Sequence, residues 1–378
     1  MTDPGFELDE LFIPAAPGEP GWADFEAAAF VAATVEAEGY GGHELTLSAA
    51  ESLPEWLNQT WQPRRLFVAR QDGRIVARGV YETLADESIT HAWIAVQVLA
   101  DRRRRGIGTA LFDHLEAIAM AESRLSQIVY TVSPEAESPR LHAQTGFGSV
   151  PLGNPEVKFL IGRGYRLEQV VRTSRLDLPC DPDTVERLRV TAALKAGPDY
   201  AVLCWSDHTP PDRLADLAVL RTRMTTDAPS AGLEEPEDVW TAARVTAEEN
   251  AAAQSPRSTL TAAALHRPSG RLVGFTELSV PQETARAVLQ EDTLVLREHR
   301  GHRLGLLLKA ANLQRLERER PGHPSVMTFN AEENRPMLAV NEAMGFRPMG
   351  QEGAWRRSAA GPVSAVSGSA GTGGRTDS

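Results

Sequence analysis

Cysteine is nearly missing from this chain: only Cys180 and Cys204 occur in 378 residues, and they form no CxxC pair. That excludes a disulfide framework and a zinc knuckle, and it fits a reducing compartment. No apolar run reaches the roughly 18 residues needed to span a bilayer. The opening MTDPGFELDELF lacks the basic stretch and apolar core of a secretory signal, so a cytoplasmic place is expected. Positive charge is in deficit, with 39 Lys and Arg against 51 Asp and Glu, a net charge of −12. Long-range repulsion then disfavours nucleic acid and anionic membrane as partners. The nucleotide motifs GxxxxGK[ST] and GxGxxG are missing too. What is left points to a small-molecule or peptide partner and to a monomer or homodimer.

Hydrophobic residues make up 42% of the chain, enough for two ordinary cores. Residues 359–378, AAGPVSAVSGSAGTGGRTDS, have almost nothing to bury and read as a disordered tail. Before it, one order of elements occurs twice. A strand near Leu8–Ile13 and a helix from Trp22 to about Glu38 come first. The first pass then has strands at 65–70 and 75–84 around QDGR, a strand at 91–99, a basic Gly loop, a helix to Glu122 and a strand at 128–132. A short helix at 139–145 closes it at Gly146-Phe147. The second pass opens with helices at 211–224 and 236–254. It continues with strands at 258–266 and 272–280, a strand from Thr293, a basic loop, a helix at 304–320, a strand at 326–329 and a helix at 335–344. Gly345-Phe346 ends it. Arg103 and Arg300 open the two loops, 197 residues apart; the two Gly-Phe pairs lie 199 apart. This is an internal repeat. It predicts an α/β fold of two domains, 1–178 and 179–358, with a boundary near Leu178–Asp183.

The loop Arg103-Arg104-Arg105-Gly106-Ile107-Gly108 joins a strand to a helix. A helix N-terminus presents unpaired N–H groups and the positive end of the dipole, and glycines let backbone approach a ligand closely. Such a loop suits phosphate or pyrophosphate. Arg103-x-x-Gly106-x-Gly108, with Val96 and Val98 before it and Leu111 after it, resembles the acetyl-CoA-binding motif of the GNAT family of N-acetyltransferases. The segments 140–147 and 334–346 resemble that family's later helix and Gly-Phe ending. The stretches HRGHRLGLLLK and NAEEN resemble a signature of its actinobacterial-type members. The resemblance implies two tandem GNAT-like domains, each a mixed, mostly antiparallel sheet flanked by helices. It implies acetyl-CoA as co-substrate, no metal, and a primary amine on a small molecule or peptide as acceptor. Val98, Arg103, Arg105, Gly106 and Gly108 would hold the cofactor in the first half. Val295, Arg300, Gly301, Arg303, Gly305 and Asn330 would do so in the second, with Arg303 standing where a motif glycine is expected.

The family's usual base lies eight residues before the motif Arg. That position is Asp292 in the second half and Ala95 in the first. Strand alternation sends the neighbouring Glu291 to the opposite face, unless a bulge near the site reverses that facing. The family's usual Tyr acid lies four residues before the closing Gly, which gives Asn341 and His142. Histidine can donate a proton near neutral pH, whereas Asn can only hydrogen-bond a thiolate. Asp292 makes the second half the expected catalytic half. Asn334 reads as a helix cap. A competing expectation is a non-catalytic acyl-CoA sensor or scaffold.

Overall fold

The computed structural model describes residues 5–86 and 88–358, so the expectation for the tail at 359–378 lies outside the described residues. The first half contains β1 (Glu7–Glu10), α1 (Trp22–Tyr40), α2 (Ala49–Leu57), β2 (Arg64–Gln71), β3 (Arg74–Glu82), β4 (His91–Val98), α3 (Ile107–Ala121) and β5 (Ser126–Val132). It goes on with β6 (Arg140–His142), β7 (Ser149–Pro151), α4 (Pro155–Gly162) and β8 (Arg166–Asp177). The second half contains α5 (Pro182–Ala196), β9 (Tyr200–Ser206), α6 (Leu214–Asp227), α7 (Ala242–Ala252), β10 (Arg257–His266), β11 (Arg271–Pro281) and β12 (Val288–Val295). α8 (Leu304–Glu319), β13 (Ser325–Ala331), α9 (Arg335–Met344) and β14 (Arg347–Ser358) complete it.

Local chemistry sets many of these elements. Asp72 and Gly73 both take positive φ, 51° and 74°, the pair of left-handed residues that turns a tight hairpin. Ser48 and Glu51 form a reciprocal capping box at the start of α2. The Asp181 side chain caps α5, with Pro182 in its first turn. α2, α4, α5, β9 and β14 are absent from the sequence-based expectation. Two of their signals, Ser-x-x-Glu and Asp-Pro, sit in stretches that read as loop or linker.

Among the described residues twelve strands form one sheet, in the order β1-β2-β3-β4-β5-β14-β8-β13-β12-β11-β10-β9. Among the described residues only β4–β5 and β12–β13 are parallel pairs. The two repeats therefore share a continuous sheet, and their last strands change places. β14, from the end of the second half, pairs with β5; β8, from the end of the first, pairs with β13. Side chains follow the exchange. Trp355 of β14 is fully buried in the core built by β2–β5 and α3, and Leu176 of β8 packs into the core under α8. On the opposite face, α1 and α2 cover the first half while α6 and α7 cover the second.

The predicted helix at 139–145 is instead a two-stranded hairpin, β6–β7. It precedes α4, and α4 is the counterpart of α9. Gly164 bonds Ile161 and Tyr165 bonds Leu160, as Gly345 bonds Glu342 and Phe346 bonds Asn341. Tyr165 and Phe346 are buried, whereas Phe147 is 46% exposed. The structural partner of Gly345-Phe346 is thus Gly164-Tyr165. The pair Gly146-Phe147 belongs to an insertion that only mimics the ending.

Candidate active site

The two basic loops follow the same backbone path. The strand pairs β4–β5 and β12–β13 hold register only over 91–93 with 126–128 and 288–290 with 326–328; beyond that the strands part. At the end of each upper strand the chain bonds back to its neighbour, Leu99 N–H to Val76 and Leu296 N–H to Val273. A short 3₁₀ turn follows, over 100–102 and 297–299. The motif arginine then folds back: Arg103 Nε donates to the Val98 carbonyl at 2.8 Å, and Arg300 Nε to the Val295 carbonyl at 2.9 Å. An acidic residue near the end of the covering helix holds each guanidinium, Glu38 for Arg103 and Asp227 for Arg300. These arginines shape the loops and are already occupied within the protein.

Each loop needs two left-handed residues. In the first they are Arg104 at φ 63° and Gly106 at 84°; in the second, Gly301 at 86° and Arg303 at 56°. Glycine and arginine have traded positions. Arg303 keeps the backbone path that Gly106 gives the first loop, at the strain of a non-glycine residue with positive φ. Its side chain is exposed. An added Cβ would meet nothing within 4 Å at Gly106, Gly301 or Gly305, and only Val98 at 3.5 Å at Gly108. Both loops thus present open backbone at a helix N-terminus, which fits a pyrophosphate. Arg105 bonds the Asp101 carbonyl at the rim.

Asp292 sits within β12, which starts four residues before it. The register between β11 and β12 slips here: Thr276 faces Thr293 and Leu278 faces Gln290, leaving Glu277 opposite both Glu291 and Asp292. This is a β-bulge. Gln290 and Thr293 lie on one face, both bonded to the Thr276 hydroxyl, at 2.9 and 2.7 Å. Glu291 and Asp292 lie on the other. Glu291 lines a cleft of about 270 Å³ between the halves with Glu51, Glu248, Ser279 and Leu289. Asp292 lies beside Arg221 of α6. The expectation that alternation separates the two acids is corrected by the bulge, which consumes one residue of the alternation. No bulge interrupts β3–β4 around Ala95.

Arg221 is shared. It bonds both carboxylate oxygens of Glu277 at 3.0 Å and packs against Trp240 and Phe275. Burial raises the Asp292 carboxyl above its ordinary value, with Arg221 opposing. Burial, then the charge of Asp292, pushes Glu291 up to about 7. Burial also raises Glu277, again against Arg221. The group therefore holds more carboxylates than cations, and among the described residues the Asp292 carboxylate has no hydrogen-bond partner. Such a carboxylate can accept a proton near neutral pH.

Asn341 and Asn330 come together: Asn341 Nδ2 donates to Asn330 Oδ1 at 2.6 Å. Asn341 is buried, and among the described residues its Oδ1 has no partner; Asn330 lies two residues past Thr328, the last β13 residue paired with β12. An orphaned amide carbonyl at the strand opening fits the amide N–H groups of a pantetheine arm. Asn334 caps α9 as expected, accepting from Met337 N–H. His142 is exposed on β6, opposite Ser149 in the insertion. The position that matches Asn341 in the first half is Leu160, which can neither donate nor accept a proton. Sequence reasoning passed over Glu277 and Arg221, because a lone acid in a strand and a lone Arg on a helix carry no motif. Among the described residues no group of His, Cys, Asp and Glu is arranged to hold a metal.

Residues 38–147 match the model of the acetyltransferase (GNAT) family. A tandem GNAT protein from the clavulanic acid biosynthesis pathway superposes with a TM-score of 0.69 at 24% identity, covering 94% of this chain and 100% of its own. A GCN5-related N-acetyltransferase from Sphaerobacter thermophilus gives 0.57 at 16% identity, over 93% and 95%. A putative acetyltransferase from Pyrococcus horikoshii gives 0.51 at 11% identity, over 95% and 92%. At these identities the likeness is one of fold. No curated protein matches the chain in sequence.

Proposed function

We propose, from the premise of a tandem GNAT fold, that this chain transfers an acetyl group from acetyl-CoA to a primary amine, with the second half as a catalytic centre. The observation that carries this reading is Asp292: a half-buried carboxylate with no hydrogen bond among the described residues, lifted by a bulge onto the helix-covered face beside parting strands. Acetyl-CoA would supply the thioester. The open backbone of Gly301–Gly305 and the Arg303 guanidinium would hold its phosphates, and the Asn330–Asn341 pair its amides. Asp292 takes the acceptor's proton, since an alkyl ammonium near pKa 10 cannot attack a carbonyl. Backbone N–H groups of the parted β12 polarise that carbonyl. A non-catalytic acyl-CoA binder is the second reading, favoured by one observation: Asn341 and Leu160 stand where an acid is expected, and neither can protonate a thiolate. Mass spectrometry of the purified protein for bound CoA, followed by thiol release from acetyl-CoA with a panel of primary amines, separates the two. Bound CoA with no release for any amine would favour the binder.

A further inference from the structure

The matched segment 38–147 lies in the half without a carboxylate on its fourth strand. That half nevertheless has the open loop at Gly106–Gly108 and the parted strands β4 and β5. Besides an acid, for which Leu160 is no substitute, it lacks a proton acceptor at Ala95. The turn of α1 before the last supplies that acceptor. Glu36 lies over the end of β4, where Gln97 Nε2 donates to its carboxylate at 3.5 Å. Gln97 is two residues beyond Ala95 on the same strand face, and the small Ala95 side chain leaves that face to Glu36. One helical turn later, the Tyr40 hydroxyl donates to the Glu352 carboxylate and accepts from Thr173 Oγ1 at 3.4 Å. Glu352 belongs to β14 and Thr173 to β8, the exchanged strands.

We propose that the first half is a second acyl-transfer centre, in which Glu36 takes the acceptor amine's proton and the Tyr40–Glu352 bond fixes the helix turn that aims it. The inference rests on the reading that this fold acylates amines. The ammonium gives one proton to Glu36. The neutral nitrogen bonds to the thioester carbonyl carbon, the carbon–sulfur bond breaks, and the leaving thiolate takes the second nitrogen proton. Products are the amide, free CoA and a proton that Glu36 returns to water. The groups facing Glu36 are Arg78 from β3, Gln97 from β4, and Tyr40 with Glu352 across the opening. Burial holds its carboxyl above the ordinary range against the pull of Arg78, which suits a base working near neutrality.

Gly305→Trp closes the second loop and isolates the first centre. In that variant, thiol release with the amine panel should persist. Adding Glu36→Gln should lower it by about 10²–10⁴ and erase the acid limb of the pH–rate profile, with little change in KM for acetyl-CoA. Glu36→Asp should restore part of the rate, and Tyr40→Phe should cost less than Glu36→Gln. Complete loss of turnover in Gly305→Trp, with one acetyl-CoA still bound per chain, would overturn the inference and leave the Asp292 reading intact. An unchanged rate for Glu36→Gln in that background would overturn it as well. Persistent turnover in Gly305→Trp, with Asp292→Asn silent in the full chain, would support it and remove the Asp292 reading. No thiol release from the unmodified protein with any amine would count against both.

Discussion

Glu291 and Asp292, adjacent in the chain, present their carboxylates to the same face of the sheet, because the bulge opposite Glu277 absorbs one step of the strand alternation. They nevertheless have different surroundings. Asp292 shares Arg221 with Glu277, while Glu291 opens into the cleft between the halves.

Their roles should separate accordingly. In a Gly108→Trp background, which isolates the second half, Asp292→Asn should lower turnover by about 10²–10⁴. The loss should shrink as pH rises toward the amine's own pKa. Glu291→Gln should be much milder, since near neutrality Glu291 is already part protonated at about 7. The Asp292 charge helps to raise Glu291, so Asp292→Asn should bring the Glu291 titration down, as read by NMR. Equal losses in both variants would show that the cleft carboxylate also takes the proton.

Arg221 opposes the rise of the Asp292 carboxyl. Removing the cation lifts the pKa further, so Arg221→Gln should move the acid limb of the second half's pH–rate profile to higher pH. Glu277→Gln frees Arg221 for Asp292 and should move the limb the other way. Opposite shifts identify the shared guanidinium; two shifts of one sign would point to general loosening of the strands.

Lys309 of α8 is buried, with Nζ 5.9 Å from the centre of the Phe346 ring. Burial lowers its pKa from 10.5 to about 7. Between those values the unfolded chain holds a proton that the folded chain does not, so stability rises with pH across that window. Lys309→Met should remove this dependence. The gain should be a few kcal/mol at or below pH 7 and fade toward pH 10, as measured by denaturant unfolding at several pH values.

The exchanged strands bind the halves into one folding unit. Expressed alone, residues 1–178 lack β14 and should be aggregated or poorly folded, and mixing them with residues 179–358 should give a 1:1 complex by size-exclusion chromatography. In the full chain Trp355→Ala should cost about 3–5 kcal/mol through a cavity in the first core. A stable monomer of residues 1–178 would show that β8 can fold back beside β5.

Much of this was legible in the sequence. The hairpin at Asp72-Gly73 and both loops declare themselves through local chemistry, and the repeat through spacing. Distant partners do not. GYRLEQVV and GFRPMGQE are both strands after a Gly-aromatic turn, and nothing local says which sheet position either takes. Gly146-Phe147 misled because an insertion places a second Gly-aromatic pair at the spacing the repeat demands. The preceding helix, the turn's hydrogen bonds and burial, none of them legible in the sequence, separate it from Gly164-Tyr165. The bulge was hidden for a similar reason: an alternation of side chains can be read, but the one residue it skips depends on the neighbouring strand.

The exchange of β8 and β14 also bears on how the chain emerges from the ribosome. When residue 178 appears, the first half has its loop, its helices and β5, but β14, the antiparallel neighbour of β5, is nearly 170 residues of synthesis away. Until then β5 presents an open row of N–H and C=O groups. The sheet closes only after both repeats exist, so assembly depends on contacts of very long sequence separation and should be slow and late. A nascent chain of this kind spends its early life as a half-finished sheet, the state in which a chaperone has most to protect.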